Sequence, residues 1–325
     1  MIQNKTILIF GGTGSLGYKL NKFYLLNNKI YNYSRDEHKH WKMKIDLKSH
    51  KNLNFIIGNV SDKLKIEETI KRINPNIVII ASAMKHIDQC ELNTSESINT
   101  NLLGTQNILN SIENNQTILT NLETVVFVSS DKACSPINNY GMCKALSETL
   151  VVEKAFYIPK IKFINVRYGN VLNSNGSIIP TLHYIGKNND YSHFNLTHPD
   201  MTRFVMTLEQ SVELIDYAIQ NGNSGETIIS ELVSMNVKDL MEIFSDIYNK
   251  PIKIIGLRPG EKLQESLINK TQSGRIYKKN KYIHIESVIN FNKEIAISDL
   301  VEYDSTINPI SKNDLLKYLN ELKLL

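Results

Sequence analysis

The segment GGTGSLG places glycines at 11, 14 and 17, directly after the apolar run TILIF (Thr6–Phe10) and directly before a helical pattern at Leu16, Leu20, Phe23 and Leu26. A strand that ends in a tight glycine turn and runs into a helix brings backbone N–H groups to a helix N-terminus, where they can approach a pyrophosphate. Gly11, Gly14 and Gly17 supply the room, and Thr13, Ser15 and Leu16 between them share the predicted cofactor contacts. A glycine-rich turn with no ligand is the alternative. The strand before and the helix after are what separate the two readings.

The rest of the first half repeats that rhythm. KIYNYS reads as a second strand, followed by a helix-like stretch around Glu37–Met43. LNFIIG (Leu53–Gly58), NIVIIAS (Asn76–Ser82), TVVFVSS (Thr124–Ser130) and IKFINVRYG (Ile161–Gly169) are further buried strands. Lys63–Ile73 and Ser95–Glu113 are amphipathic helix candidates between them. Apolar strands alternating with helices predict an α/β fold, a doubly wound, Rossmann-like parallel sheet covered on both faces, with ligands at the carboxyl ends of the strands. After Arg167 come loops rich in Asn, Ser, Gly and Pro, then helices at Leu208–Gln220 and Val237–Asn249. We therefore expect a dinucleotide-binding domain over 1–167 and a smaller substrate lobe over 168–325, with some chain returning to the sheet.

Composition narrows the function classes. With 325 residues, 42% hydrophobic and 22% charged, the chain can bury a substantial core. The net charge of +4 comes from scattered Lys and Arg, so nucleic acid is not an expected partner. Cys90, Cys134 and Cys143 lack metal-ligand spacing, and no metal site is expected; their sparse number fits a reducing cytoplasm. No secretory leader pattern opens the sequence, and no apolar run reaches the length of a membrane span.

The tip of the second strand reads YSRDEHK. Ser34 and Arg35 come first there, with Lys39 one turn on, a set that suits a ribose 2′-phosphate and favours NADP over NAD. Asp36 keeps the NAD reading open, and a surface ion pair is the other use for Arg35 and Lys39. Asn59 and Val60, in GNVSD after the third strand, offer an adenine-edge contact or a simple strand-end turn.

Chemistry concentrates in SSDKACSPINNYGMCK (Ser129–Lys144). Tyr140 and Lys144 share one face of a helix. A lysine ammonium beside a phenol favours the phenolate, which makes Tyr140 a candidate base and Lys144 its helper. Ser129 or Ser130 at the strand end can hydrogen-bond a substrate hydroxyl. Asp131-Lys132 is either a loop ion pair or a second acid–base unit.

These features resemble the extended short-chain dehydrogenase/reductase superfamily. Within it, SSDKACSPINNYGMCKALSE resembles the active-site signature of the inverting UDP-N-acetylglucosamine 4,6-dehydratases. SRDEHKHWKM, ASAMKHIDQCELNTSESINTNLLGTQNIL, VRYGNVLNSNGSIIP, HPDMTRFVMTLEQSVELI and GLRPGEKLQE resemble other segments of that family, in order, over nearly the whole chain. The resemblance implies a nucleotide-sugar lyase. Tyr140 would take the C4 hydroxyl proton, Lys132 as a neutral amine would take the C5 proton, and Asp131 would protonate the departing C6 hydroxyl. It also implies cofactor contacts from Ala81, Ser82, Ala83, Lys85 and Asn101, and substrate contacts from Lys85, Ser130, Asn170, Ser177, Arg203, Arg258 and Glu261. The two arginines would clamp phosphates and Glu261 a ribose. Some relatives with a C5-epimerising role carry methionine at the position of Tyr140, so tyrosine favours the plain dehydratase. A homo-oligomer, dimer to hexamer, is implied as well. The competing readings are a nucleotide-sugar 4-epimerase, a C5-retaining dehydratase, and a non-catalytic NADP-binding scaffold on the same fold.

Overall fold

A computed structural model describes residues 1–289 and 301–325. Its first half alternates as the apolar pattern requires: β1 (Thr6–Phe10), α1 (Ser15–Tyr24), β2 (Lys29–Ser34), α2 (Glu37–Asp46), β3 (Leu53–Ile57), α3 (Lys63–Ile73) and β4 (Ile77–Ile80). Local signals set several boundaries. Asp62 caps α3 by accepting from the Lys65 N–H, and Asn74 ends it in a left-handed conformation.

The predicted helix over Ser95–Glu113 is in fact three pieces. α4 (Ile87–Leu92) and α5 (Thr94–Ser97) lead into a π-helical turn at Ile98–Leu103, and α6 (Gly104–Asn114) follows. The wider turn aims Asn101 inward, where its side-chain amide binds both the N–H and the carbonyl of Met84 at 2.8 and 3.0 Å. β5 (Thr124–Val128), α7 (Asn139–Tyr157) and β6 (Lys162–Val166) complete the doubly wound half.

The second half is shared between two places. β7 (Asn170–Val171), α8 (Ile178–Lys187), β8 (Phe194–Leu196) and β9 (Thr202–Met206) start a separate lobe. α9 (Leu208–Asn221) and β10 (Thr227–Ser230) go back to the large sheet. β11 (Val233–Asn236), α10 (Val237–Tyr248), β12 (Ile252–Ile254) and β13 (Ser266–Ile268) return to the lobe. After the short α11 (Lys270–Ser273), β14 (Ile276–Lys279) and β15 (Tyr282–Ile285) extend the large sheet, and β16 (Tyr303–Asp304) and α12 (Lys312–Glu321) end in the lobe.

The large sheet runs β14-β15-β10-β6-β5-β4-β1-β2-β3 among the described residues. Its members from β3 to β10 are parallel, and β15 and β14 are antiparallel. One face is covered by Ile66 and Ile70 of α3, Ile108 and Ile112 of α6, and Val151 of α7. The other is covered by Leu20 and Tyr24 of α1 and by Val212 and Ile215 of α9. A third core, around Phe194, Leu240, Phe244 and Leu315, belongs to the lobe. Strand order reverses between β1 and β4, so the crevice for a ligand opens there, at the carboxyl ends of β1, β4 and β5. Among the described residues no helix is long and apolar enough to cross a membrane.

Candidate active site

The glycine turn is built by crowding on three sides. Gly11 has φ +83°, and a Cβ there would lie 2.6 Å from the Ser82 backbone nitrogen. At Gly12 a Cβ would meet Asn32 Oδ1 at 2.0 Å, and at Gly17 it would meet the Gly12 Cα at 2.4 Å. Gly14 differs: it is exposed, φ is −71°, and the nearest atom to a Cβ is the Gly11 carbonyl oxygen at 3.4 Å. Neither backbone strain nor protein packing therefore requires glycine at 14. α1 begins at Ser15 with no side-chain cap, which leaves the N–H groups of its first turn, Ser15 to Gly17, without intrahelical partners. A bare helix N-terminus beside an open glycine fits a pyrophosphate.

Other expected cofactor residues have local roles. The Thr13 N–H donates to Ser34 Oγ at 3.2 Å, which ties the turn to the tip of β2. Ser15 Oγ accepts from the Asn175 N–H at 3.0 Å, so the chain after β7 reaches across the turn. Asp36 caps α2 through the Lys39 N–H at 3.1 Å and pairs with Lys39 Nζ at 3.3 Å; those contacts hold its carboxyl below the usual range. Lys39 is thus engaged with Asp36, and Arg35 remains exposed at the strand tip, 4.0 Å from Glu96.

Three more of the expected cofactor residues have local partners. Val60 packs its side chain in the sheet core, with its carbonyl accepting from Asn107, and Asn59 Oδ1 accepts from the Ser61 N–H. Asn101 is fully buried beneath the loop after β4 and clamps it through Met84. Ala81 and Ser82 back the glycine turn, and Ala83 is exposed beside them.

The acid–base residues meet at the carboxyl end of β5. Asp131–Ala133 form one tight 3-10 turn capped by Ser130, and Gly141 allows the start of α7 to press against it: a Cβ there would sit 2.3 Å from the Lys132 carbonyl oxygen. Asp131 is fully buried. Its Oδ1 accepts from Ser130 Oγ at 2.8 Å and from Lys132 Nζ at 3.1 Å, and its Oδ2 has no hydrogen-bond partner. Lys132 Nζ also donates to Asn170 Oδ1 at 3.0 Å and stands 3.6 Å from Glu265 Oε1. Burial pushes the Lys132 amine down, but Asp131 and Glu265 outweigh it and hold the pKa above the usual lysine value. The neutral Lys132 expected from the sequence is therefore not the resting form, because two carboxylates face it.

Tyr140 lies in the first turn of α7. Burial raises its phenol strongly, and the nearby Tyr168 and Asp131 add to the effect while Ser130 opposes it. Lys144 is aimed elsewhere: its Nζ donates to the Val128 carbonyl at 2.8 Å and lies 4.5 Å from the centre of the Phe127 ring. Burial lowers Lys144 to about 8, against the pull of Glu148. The expected phenol-lowering contact from Lys144 is thus absent from the hydrogen bonds among the described residues, since the strand carbonyl takes the ammonium.

The substrate side is similarly mixed. Asn170 is placed on Lys132. Ser177 stands at the N-terminus of α8, with its buried hydroxyl unpartnered. Lys85 donates to Ser174 Oγ and the Asn175 carbonyl. Arg203 is not a free phosphate clamp: its guanidinium donates to the carbonyls of Thr202, Lys262 and Leu263 at 2.7 to 3.1 Å. Arg258 and Glu261 pair with each other at 2.7 Å in a turn docked on α7 by the Asn138 amide, which donates to the Gly260 carbonyl at 2.8 Å.

Sequence reasoning missed Glu265, which lies inside GLRPGEKLQE without any spacing that marks it, and the buried Arg167–Glu148 pair. Ser129, which the sequence offered beside Ser130, has a buried and unpartnered hydroxyl. Among the described residues no group of three or more His, Cys, Asp or Glu could hold a metal.

A doubly wound sheet with this glycine turn and a Tyr-x-x-x-Lys helix after β5 is the fold of the extended short-chain dehydrogenases/reductases. The chain belongs to the polysaccharide biosynthesis protein family, whose sequence pattern matches residues 7–287. It is 36% identical over 285 residues to a UDP-glucose 4-epimerase of Rickettsia rickettsii, covering 85% of this chain and 81% of that protein. The X-ray structure of Pen from Bacillus thuringiensis superposes with a TM-score of 0.89 at 30% identity, covering 99% of both chains. DesIV of Streptomyces venezuelae, a dTDP-glucose 4,6-dehydratase crystallised with NAD and TYD, shares the fold at a TM-score of 0.69 and 16% identity, over 79% of this chain and 86% of that one.

Proposed function

We propose that the protein is a UDP-N-acetylglucosamine 4,6-dehydratase that uses NADP and inverts C5. The observation that carries this is the Asp131-Lys132 pair, Asp131 fully buried and Lys132 part-buried, with Lys132 Nζ held by Asp131 Oδ1 and Asn170 Oδ1 at 3.1 and 3.0 Å. A 4-epimerase needs a proton acceptor for the C4 hydroxyl and nothing more; a second acid and amine, held together, serve an elimination.

When bound, NADP would take a hydride from C4 and return it to C6 after the elimination, while C5 takes up a solvent proton on the face opposite Lys132. Tyr140 accepts the C4 hydroxyl proton as the phenolate, a form that the positive nicotinamide of bound NADP would favour against the burial that raises the phenol, and the resulting 4-ketone acidifies the C5 hydrogen. Passing one proton from Lys132 to Asp131 converts the resting ion pair into a neutral amine and a carboxylic acid. Lys132 then takes the C5 proton and Asp131 delivers its proton to the leaving C6 hydroxyl, which returns the pair to its resting charges. Asp36 supports NADP over NAD, because its carboxylate is engaged at the cap of α2 and Arg35 is left at the strand tip.

The test is incubation with UDP-N-acetylglucosamine in deuterated water, with the product read by NMR. A 4-keto-6-deoxy sugar, deuterated and inverted at C5, is expected; absence of that sugar would sink the reading. The R. rickettsii relative favours a second reading, a nucleotide-sugar 4-epimerase. Lys132→Ala separates them: it abolishes dehydration under the first and leaves turnover intact under the second.

A further inference from the structure

Glu265 is nearly fully buried, at 2% exposure. Its backbone is held from both sides by Ser305: the Glu265 N–H donates to Ser305 Oγ at 3.1 Å, and the Glu265 carbonyl accepts from the Ser305 N–H at 2.9 Å. Ser305 is itself bonded to Thr202 Oγ1 at 2.8 Å. This anchoring presents the carboxylate between two lysines, with Oε1 3.6 Å from Lys132 Nζ and Oε2 3.5 Å from Lys262 Nζ. Oε2 is buried and makes no hydrogen bond. Lys262 is directed away, donating to the Cys134 carbonyl at 2.9 Å.

Lys132 has three N–H groups. Two are taken by Asp131 and Asn170, and the third side faces Glu265. Asp131 comes from the turn after β5, Asn170 from β7, and Glu265 from the residue before β13. The charged groups acting on Lys132 are Asp131 and Glu265, which favour its ammonium, and Arg203 of β9, which opposes it; Lys262 flanks Glu265, and Tyr140 and Tyr168 lie against Asp131. Glu265 alone among the carboxylates here has an oxygen facing Lys132 and no assigned step in the reaction.

We propose that Glu265 is a positioning residue for Lys132, whose anchored carboxylate orients the amine toward the substrate and holds in place the proton that Lys132 passes to Asp131. The inference rests on the dehydratase reading for its consequence in turnover, but its physical content, the hold of Glu265 on the Lys132 proton, is measurable without substrate. Removing the carboxylate weakens the attraction for that proton, so Lys132 loses it to solvent at lower pH, and the limb on which activity falls with alkali moves down as well.

The experiment compares wild type, Glu265→Gln and Glu265→Asp as full-length protein with NADP. The Lys132 Nζ resonance is titrated in ¹⁵N-lysine-labelled samples, assigned with Lys132→Ala. In parallel, kcat and KM for UDP-N-acetylglucosamine are measured against pH. In E265Q the Nζ midpoint is expected to fall by roughly one to three pH units. The alkaline limb of kcat should follow it with KM changed less than about threefold, and E265D should restore most of the wild-type profile. An unchanged Nζ midpoint in a folded E265Q overturns the proposal even if wild type dehydrates the sugar. A shifted midpoint in a wild type that makes no 4-keto-6-deoxy sugar supports the hold of Glu265 on Lys132 and overturns the dehydratase reading instead.

Discussion

Lys144 directs its ammonium at the backbone carbonyl of Val128, 2.8 Å away, at the end of the strand that carries the acid–base pair. Lys144 is buried, and burial lowers the amine to about 8 from an ordinary 10.5. In the unfolded chain the lysine keeps its ordinary value, so between those two pH values only the unfolded state holds the extra proton. The charge is therefore a cost to folding below pH 8, and that cost disappears as pH rises toward 10.5. Wild type should gain on the order of 3 kcal/mol relative to Lys144→Met across that window. Denaturant unfolding of both proteins at several pH values checks it; a stability difference that stays flat with pH contradicts the burial argument. Activity should be lost in the variant at every pH.

Gly12 and Gly14 separate folding from binding. A methyl group at 12 collides with Asn32 Oδ1, which belongs to a buried side chain, so Gly12→Ala should lower stability by about 1–3 kcal/mol. Gly14→Ala meets nothing closer than 3.4 Å and should melt like wild type, yet bind NADP at least about tenfold more weakly, because the methyl stands where the pyrophosphate approaches. Thermal melts and cofactor titration distinguish the two effects.

Arg35 and Asp36 differ in the same way. Arg35→Glu should weaken NADP binding by about tenfold or more and leave NAD within about threefold, since only the former carries the 2′-phosphate. Asp36→Ala should loosen the first turn of α2 and leave the NADP-to-NAD ratio of dissociation constants where it was, because its carboxylate is a helix cap. Calorimetric titration with each dinucleotide reads both.

Arg167 is 1% exposed and holds Glu148 with two parallel N–H···O bonds, while its remaining nitrogen donates to the Leu267 carbonyl and to Gln272. The pair joins the end of β6 to α7, β13 and α11 behind the catalytic turn. Glu148→Ala leaves the guanidinium buried without its counter-charge and should cost about 3–5 kcal/mol. Replacing both residues by methionine should recover part of that loss. A single substitution no worse than the double one would contradict this account.

Much of the frame was readable from local order. The glycine turn and the apolar strands depend on residues within a few positions of one another, and α3 runs over the expected span. The Ser95–Glu113 prediction failed at the π-helical turn because Asn101 is committed to Met84, a contact made across a loop that helical periodicity does not register.

The site divides along the same line. From its sequence the chain determines which residue types stand together in Ser129–Lys144, and therefore that an acid, two amines and a phenol share one stretch beside a dinucleotide turn. The charges those groups carry were decided only by the tertiary structure. Lys132 rests as an ammonium because Asp131 beside it, joined by Glu265 from the far end of the chain, outweighs its burial, Lys144 is weakened because β5 buries it, and Arg203 is spent on carbonyls of a loop it meets only after folding. Protonation depends on which charges and how little water lie within a few ångströms, and those neighbours come from segments that linear order keeps apart.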